Sequence, residues 1–305
     1  MIKVGVIGLG NIAQKAYLPI YAAIEDVEFH LYTPNQQKAA AIASKYRMNR
    51  VHASLKSLIQ SGINAAFVHS STETHDEVVR ALLTNGVHVF VDKPITDHYE
   101  TSKALVELAE QENLLLRIGF NRRFAPAIQQ LKEVKKPNMV IVEKHRASQP
   151  KDIRTFIFDD FIHVVDTIRY LFPYPIDEVI VRGTKNGELL SQVTVQFISK
   201  HGIAIGIMNR ESGTGEEKAE VMSANEKRAA LNLANMVIST EQTQTEIRFG
   251  DWETTLHKRG FEAMVNDFIK TIANQQTVDL LPTSRDALES HRICEDITRQ
   301  LEEQK

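Results

Sequence analysis

The chain has 305 residues, more than one hydrophobic core usually organises, so its length predicts two domains. An apolar fraction of 43% is ordinary for a globular protein, and the net charge of -3 comes from interspersed acidic and basic residues. Such a surface has no single-sign stripe, so we expect neither nucleic acid nor a membrane as a partner.

Cys294 is the only cysteine, which excludes an intrachain disulfide and a thiolate-rich metal cluster. A reducing compartment is therefore expected. The first residues run directly into a strand pattern without a signal-peptide signature, and no later stretch offers about eighteen consecutive apolar residues. These features predict a cytoplasmic protein.

Residues 3–120 alternate short apolar runs with longer helical patterns. This rhythm is typical of parallel strands joined by crossover helices that cover both sheet faces. We predict a doubly wound parallel sheet of the Rossmann type. Its predicted strands are residues 3–7, 27–32, 50–52, 65–68, 87–91 and 114–118. The spacing from Thr74 to Glu77 predicts a capping box, and Gly86 marks the end of that helix.

The pattern changes after Asn121, so we predict domains at residues 1–120 and 121–305. Alternating apolar and polar residues predict antiparallel pairing in a second, mixed or antiparallel sheet. The predicted elements there are a helix to about residue 136, a strand at 139–144, a helix at 159–171, strands around 178–182, 192–197 and 203–208, and helices at 261–274 and 284–303. Residues 132–138 and 212–217 are predicted surface loops.

The glycine turn Gly8-Leu9-Gly10-Asn11-Ile12-Ala13 follows the first predicted strand and opens a helix, which is the context of a dinucleotide site. Gly8 permits the tight turn, and Gly10 lets backbone amides approach a pyrophosphate at the positive helix end. A strand-to-helix turn without a ligand is the alternative.

A dinucleotide site usually carries an acid at the end of the second strand, where it binds the adenosine ribose. Thr33 occupies that position here. Without a carboxylate to repel a 2'-phosphate, NADP is slightly favoured over NAD, although Pro34 stands where an arginine would strengthen that preference. Alternatively, Thr33 and Asn35 only form the loop.

Lys93 lies at the carboxyl edge of a predicted parallel strand, where open α/β sheets place their ligands. Pro94 restricts the backbone after it, so the ammonium group could stabilise a developing alkoxide. An ordinary surface lysine is the alternative. The pattern Asp159-x-x-x-His163-x-x-Asp166 puts three polar residues on one helical face, where a carboxylate could orient a histidine base. A buried, satisfied His–Asp pair is the alternative, and no third ligand suggests a metal site.

Together these motifs resemble the Gfo/Idh/MocA family of oxidoreductases, in particular its MviM-like branch. The resemblance runs almost end to end. The segments that carry it, besides the glycine turn and the Asp159 to Asp166 pattern, are residues 68–75 (VHSSTETH), 87–94 (VHVFVDKP) and 119–126 (GFNRRFAP).

The resemblance implies a role for several residues. Ser70, Ser71 and His75 would lie along the cofactor. Asp92 would match the usual glutamate near the nicotinamide ribose, and Asn121 with Arg122 would match a segment beside the nicotinamide. Lys93, Asp159 and His163 would match the catalytic residues. The family also implies an α/β second domain with a large, open, mainly antiparallel sheet, whose exposed face builds dimers or tetramers.

We therefore predict hydride transfer between NAD or NADP and a carbinol carbon of a sugar, cyclitol or related polyol. In this hypothesis His163 exchanges the hydroxyl proton, Lys93 stabilises the alkoxide and Asp159 orients His163. A regulator without turnover and a redox-assisted glycosidase are the alternatives. Residues 156–161 (FIFDDF) replace the small residues usual before the histidine and are expected to reshape the substrate pocket. Five residues are expected either to bind a carboxylate or phosphate group of the substrate or to form surface ion pairs: Arg122, Arg123, Lys144, His145 and Arg146.

Overall fold

The structure is a computed structural model that describes residues 1–274 and 280–304. Its strands are β1 (Ile2–Ile7), β2 (Val27–Tyr32), β3 (Arg50–Val51), β4 (Ala65–Val68), β5 (His88–Val91), β6 (Leu116–Ile118), β7 (Met139–His145), β8 (Glu178–Asn186), β9 (Leu189–Ser199), β10 (Gly202–Asn209), β11 (Glu216–Met222), β12 (Lys227–Leu231), β13 (Asn235–Ser239) and β14 (Gln244–Arg248).

Its α-helices are α1 (Leu18–Tyr21), α2 (Gln36–Tyr46), α3 (Leu55–Gln60), α4 (His75–Leu83), α5 (Tyr99–Gln111), α6 (Pro126–Lys132), α7 (Ile153–Thr155), α8 (Ile162–Leu171), α9 (Thr255–Lys258), α10 (Phe261–Ala273) and α11 (Leu280–Glu303). Two π-helical segments, Ala13–Tyr17 and Phe156–Phe161, run into α1 and α8. None of the described helices combines the length and apolar character needed to cross a bilayer.

The chain forms two compact units, whose residue ranges differ from those of the predicted domains. The first unit contains Met1–Gly119 and Phe261–Glu289, and the second contains Phe120–Gly260 and Ser290–Lys305. The change near residue 120 agrees with the prediction, but Phe261–Glu289 belongs to the first unit. The reason is aromatic packing, because Phe268 of α10 lies 5.0 Å from Phe67 and 5.6 Å from Phe90.

The first unit is built on a parallel six-stranded sheet in the order β3-β2-β1-β4-β5-β6. This confirms the predicted doubly wound sheet. The strand order reverses between β1 and β4, which pair in parallel with Val4 opposite Ala65. Ligands of open α/β sheets bind outside the carboxyl ends of the strands at such a switch point. In this unit that point lies beside Gly8 and Ser70.

The predicted capping box at Thr74 is wrong. A 3₁₀ turn over Thr72–Thr74 precedes α4, so Thr74 has helical backbone angles and its side chain caps no amide of α4. Its hydroxyl bonds instead to Ser70 Oγ at 2.7 Å and to the Ser71 carbonyl at 2.8 Å. The observed capping box is that of α3, between Ser54 and Ser57. Gly86, with φ of 74°, follows the end of α4 as predicted.

The second unit is built on an eight-stranded sheet in the order β14-β13-β12-β11-β7-β10-β9-β8. Only β7 and β10 pair in parallel, so the sheet is mainly antiparallel as predicted. Helix α8 packs on these two strands. A side chain at Gly206 of β10 would lie 2.9 Å from Val164, so glycine permits the close approach of α8. This approach packs α8 directly against the sheet.

Candidate active site

The glycine turn of the first unit has the backbone that a dinucleotide site requires. Gly8 has φ of +86°, and a Cβ there would lie 2.3 Å from the backbone nitrogen of Ser70. No side chain fits between the ends of β1 and β4. A Cβ at Gly10 would meet nothing within 4 Å, so the space in front of this amide is open. Asn11 and the side chain of Ile12 are exposed at the start of the helix. These residues fit a bound dinucleotide.

His75 ties together the loops that follow β4 and β5. It is 1% exposed. One ring nitrogen lies 3.1 Å from the Ser70 carbonyl, and the other lies 3.0 Å from the Pro94 carbonyl. The predicted residues Ser70, Ser71 and His75 therefore gather at the switch point, where His75 is engaged with the backbone.

At the end of β2 the structure uses Asn35 as a helix cap. Its side chain accepts a hydrogen bond from the Lys38 amide at 2.9 Å. Thr33 is 8% exposed, and its carbonyl accepts a hydrogen bond from Gln36. No acidic side chain stands at position 33, as the sequence indicates.

Asp92 and Lys93 follow β5 beside buried His69, which is not among the residues predicted for the site. The Asp92 carboxylate accepts a hydrogen bond from the Lys93 amide at 2.9 Å, and burial raises the pKa of Asp92. His69 lies 4.0 Å from this carboxylate and stacks on Tyr17 at 3.9 Å. Burial, with the nearby His75, lowers the pKa of His69 to about 3. His69 is therefore neutral beneath the strand ends.

In the second unit, His163 is held by a chain of two further residues. The Nη1 atom of Arg122 lies 2.8 Å from Nδ1 of His163. The other side of the same guanidinium binds both carboxylate oxygens of Glu217, with Nη2 at 2.8 Å from Oε2. A guanidinium can only donate hydrogen bonds, so Nδ1 of His163 accepts and the proton of the neutral ring lies on Nε2.

Glu217 lies in β11, directly opposite Lys144 of β7. The prediction of a surface loop at residues 212–217 is wrong for the first residues of β11, Glu216 and Glu217. Burial opposes ionisation of Glu217, but the charges of Arg122 and Lys144 outweigh it and lower its pKa to about 2. The charged sequence around Glu217 resembles a solvated loop, and only strand pairing brings it against Arg122. No local sequence signal identifies Glu217, because its contact with Arg122 depends on the pairing of β11 with β7.

The two neighbouring aspartates before α8 have different environments. Asp159 is exposed, whereas Asp160 is 5% exposed and lies 2.7 Å from Lys144 Nζ and 2.9 Å from Arg146 Nε. These two cations lower the pKa of Asp160 in spite of its burial. The helical pattern predicts Asp159 but cannot distinguish it from Asp160, because both fit the spacing and only burial separates them.

The remaining predicted polar residues have structural partners. Asp166 accepts hydrogen bonds from Arg123 at 2.6 and 2.9 Å and from Ser290 at 3.1 Å. Asn121 donates to the Arg259 carbonyl at 2.8 Å. The rings of residues 156–161 turn inward, since Phe156, Phe158 and Phe161 are at most 1% exposed. This segment therefore contributes aromatic core as well as Asp160.

Two segments of the chain match known protein families. Residues 2–120 match the Gfo/Idh/MocA oxidoreductase family with the NAD-binding Rossmann fold, and residues 126–243 match the YceM-like C-terminal domain. The chain is 32% identical to YceM of Salmonella typhimurium over 98% of this chain and 97% of the relative.

A solved structure and a second relative extend this similarity. The crystal structure of the dehydrogenase MviM from Clostridium difficile is 34% identical and superposes with a TM-score of 0.91, covering 98% of this chain and 99% of that one. The myo-inositol 2-dehydrogenase of Thermotoga maritima is 24% identical over 88% of each chain. The family and the MviM-like branch predicted from the sequence are thus confirmed.

Proposed function

Since the chain belongs to the Gfo/Idh/MocA family of oxidoreductases, which have the NAD-binding Rossmann fold, we propose that it is a dehydrogenase of a sugar, cyclitol or related polyol. The observation that carries this proposal is the turn at Gly8 and Gly10, which excludes a side chain at one glycine and leaves open space at the other. The similarity to a myo-inositol 2-dehydrogenase supports the substrate class.

In this proposal the first unit holds the cofactor. Amides from Gly10 to Ile12 bind the pyrophosphate, and Ser70, Ser71 and Asp92 lie along the remainder. Asn121 and Arg122 are proposed to lie beside the nicotinamide, as the family resemblance implies. When bound, the nicotinamide accepts or supplies the hydride. The protein binds and orients the reactants and moves the proton.

The geometry of His163 refines the proposed proton transfer. Because Nδ1 accepts from Arg122, Nε2 bears a proton and acts as a donor to the substrate oxygen. His163 then stabilises the oxyanion. Lys93 stabilises the developing alkoxide, and the hydroxyl proton is released to water during oxidation and taken from water during reduction. Asp159, one turn before His163, stays a candidate catalytic residue, but in this proposal Arg122 takes over the orienting role predicted for Asp159, because both ring nitrogens are already used.

We propose a slight preference for NADP over NAD, on the ground that Thr33 does not repel a 2'-phosphate. We also propose that the protein is cytoplasmic and forms a homodimer or homotetramer through the second sheet. Ile203, Ile205 and Ile207 of β10 alternate with the residues that face α8, and Ile203 is 36% exposed. Light scattering of the purified protein measures the subunit number.

Cofactor titration and steady-state turnover test the proposed dehydrogenase. We expect NAD(H) or NADP(H) to bind with micromolar affinity and a polyol to be oxidised. Lys93→Ala and His163→Ala should each lower kcat by about 100-fold or more without loss of cofactor binding. Absence of cofactor binding would refute the proposal. Binding without turnover of any polyol would instead favour a regulator.

A further inference from the structure

A cluster of charged side chains in the second unit carries more positive than negative charge. It adjoins His163 through Arg122. Its cations and its buried carboxylates, together called the cationic cluster, are Arg122, Lys144, Arg146, Arg210, Asp160 and Glu217. We propose that the cationic cluster binds a carboxylate or phosphate group of the substrate, so that the polyol is a sugar acid or a phosphate ester. This inference rests on the proposed dehydrogenase function.

Arg210, which follows β10, supplies the main observation. Its side chain is 5% exposed, and its guanidinium lies 5.4 Å from the ring centre of Phe156. The nearest carboxylate oxygen, on Asp160, is 3.9 Å from Nη2. Within the described part of the chain, buried Nε and Nη1 have no hydrogen-bond acceptor. A buried guanidinium with unused donors is costly unless a ligand or water accepts from it.

The carboxylates of the cationic cluster are already occupied by other cations. Asp160 accepts from Arg146 and lies 2.7 Å from Lys144, and Glu217 binds Arg122 through both oxygens. With Lys144 protonated, four cations face three carboxylates even if exposed Asp159, whose charge also acts on Arg146, is included. The protonated cluster therefore has an excess positive charge, and Arg210 is the cation with unused hydrogen-bond donors.

The pKa of Lys144 is lowered by its burial and by the neighbouring positive charge. It is 4% exposed, and burial together with the charge of Arg122 lowers its pKa to about 7, against the opposing effects of Asp160 and Glu217. An anion bound to the cluster would favour the charged form of Lys144. Binding near neutral pH should therefore take up a proton, and a neutral ligand should not cause this uptake.

Calorimetry at pH 7.5 in HEPES and in Tris tests the inference with the full-length protein. The probes are D-glucuronate, D-glucose 6-phosphate, inorganic phosphate and neutral D-glucose, each with and without saturating cofactor. We expect at least one anion to bind about tenfold or more tightly than D-glucose, with uptake of roughly 0.5–0.8 proton. The uronate and the phosphate ester distinguish a carboxylate site from a phosphate site.

Three variants separate the parts of the cationic cluster. Arg210→Gln should weaken anion binding about 10- to 100-fold, because it removes charged donors. Lys144→Arg should still bind the anion but take up no proton, since arginine stays protonated. Arg248→Gln is the matched control, because Arg248 is exposed and paired with Glu246. It should bind all probes as the wild type does.

Two outcomes overturn the inference. One is that no anion binds more tightly than D-glucose in either cofactor state. The other is that an anion binds equally well to Arg210→Gln, which places its site elsewhere. Both results leave the dehydrogenase proposal intact if cofactor binding and turnover of a neutral polyol are observed. If the wild type binds no cofactor, the dehydrogenase proposal is refuted, and with it the identification of the anion as part of a polyol substrate. Anion binding by the cationic cluster is still measured, because the titration is also performed without cofactor.

Discussion

Arg122 and His163 are joined by a contact of 2.8 Å between Nη1 and Nδ1, and this contact determines which nitrogen of the imidazole carries the proton. Arg122 is in turn fixed by the two oxygens of Glu217. A carboxylate in β11 thus positions a histidine in α8 through one guanidinium. The arrangement of donors, rather than the histidine alone, defines the proposed chemistry.

Glu217→Gln should lower kcat by about 10- to 100-fold while cofactor affinity changes less than about twofold, because the variant loosens Arg122. Nitrogen-15 NMR of the histidine rings provides the second readout. Wild-type His163 should show its proton on Nε2, and Glu217→Gln should show a mixture of tautomers. His163→Gln assigns the signal.

Glu246→Gln is the control for this prediction. Glu246 is exposed and pairs with exposed Arg248, so neither kcat nor the His163 signal should change. An unaltered His163 signal in Glu217→Gln, despite a lower kcat, would show that Glu217 acts through folding and not through the ring.

Replacement of Gly8 should lower protein stability, whereas replacement of Gly10 should weaken cofactor binding. Gly8→Ala should lower the free energy of unfolding by about 1–3 kcal/mol or more, because φ is positive and the Cβ would contact the Ser70 backbone. Gly10→Ala should unfold like the wild type but bind cofactor at least about tenfold more weakly, because its Cβ enters open space in front of the amides.

Thermal unfolding and cofactor titration distinguish these effects. Gly213→Ala serves as the control, since no atom lies within 4 Å of the added carbon. Equal cofactor affinity of Gly10→Ala and the wild type would contradict the placement of the pyrophosphate at this turn.

Thr33→Asp tests cofactor preference. A carboxylate at the end of β2 should repel a 2'-phosphate and weaken NADP binding by about tenfold or more, with less effect on NAD. Fluorescence titration with both reduced cofactors gives the ratio of the two Kd values. Thr33→Asn is the uncharged control and should leave that ratio near its wild-type value. An unchanged ratio in Thr33→Asp would mean that position 33 does not face the ribose.

His69 should make stability depend on pH. Its pKa in the folded protein is about 3, below the ordinary value of 6.5, so the unfolded chain binds more protons between these pH values. Its contribution to stability is therefore complete above pH 6.5 and decreases as pH falls. Between pH 7 and pH 5 the loss should be about 2 kcal/mol.

Urea unfolding at both pH values measures this loss. His69→Gln should be less stable than the wild type at pH 7 but should lose less stability on acidification. His98→Gln is the control, because His98 has a side chain that is 59% exposed. The same pH dependence in His69→Gln and the wild type would contradict the assignment.

The fold was largely predictable because its signals are local. Strand runs, helix periods and the glycine turn predicted the parallel sheet and the mainly antiparallel sheet, both of which the structure shows. The capping box at Thr74 failed for a local reason, since the hydroxyl prefers Ser70 and Ser71 in the 3₁₀ turn. The assignment of Phe261–Glu289 failed because its packing on Phe67 and Phe90 involves residues far apart in sequence.

The candidate site was only partly predictable. Gly8, Lys93 and His163 belong to compact motifs, and the pattern alone identified them. Glu217 and Arg210 belong to no motif, and their sequence neighbourhoods look like charged surface. Antiparallel pairing places Glu217 opposite Lys144, and burial against Phe156 distinguishes Arg210 from an exposed arginine.

The sequence by itself determined the dinucleotide turn, because its glycines and the strand and helix patterns on either side lie within one short stretch of chain. It also determined the family and the candidate pair of Lys93 and His163. Only the tertiary structure decided the state of His163 and the charge around it. Those properties depend on Arg122, Glu217 and Arg210, which come together by strand register and burial, and electrostatic effects become strong only where water is excluded.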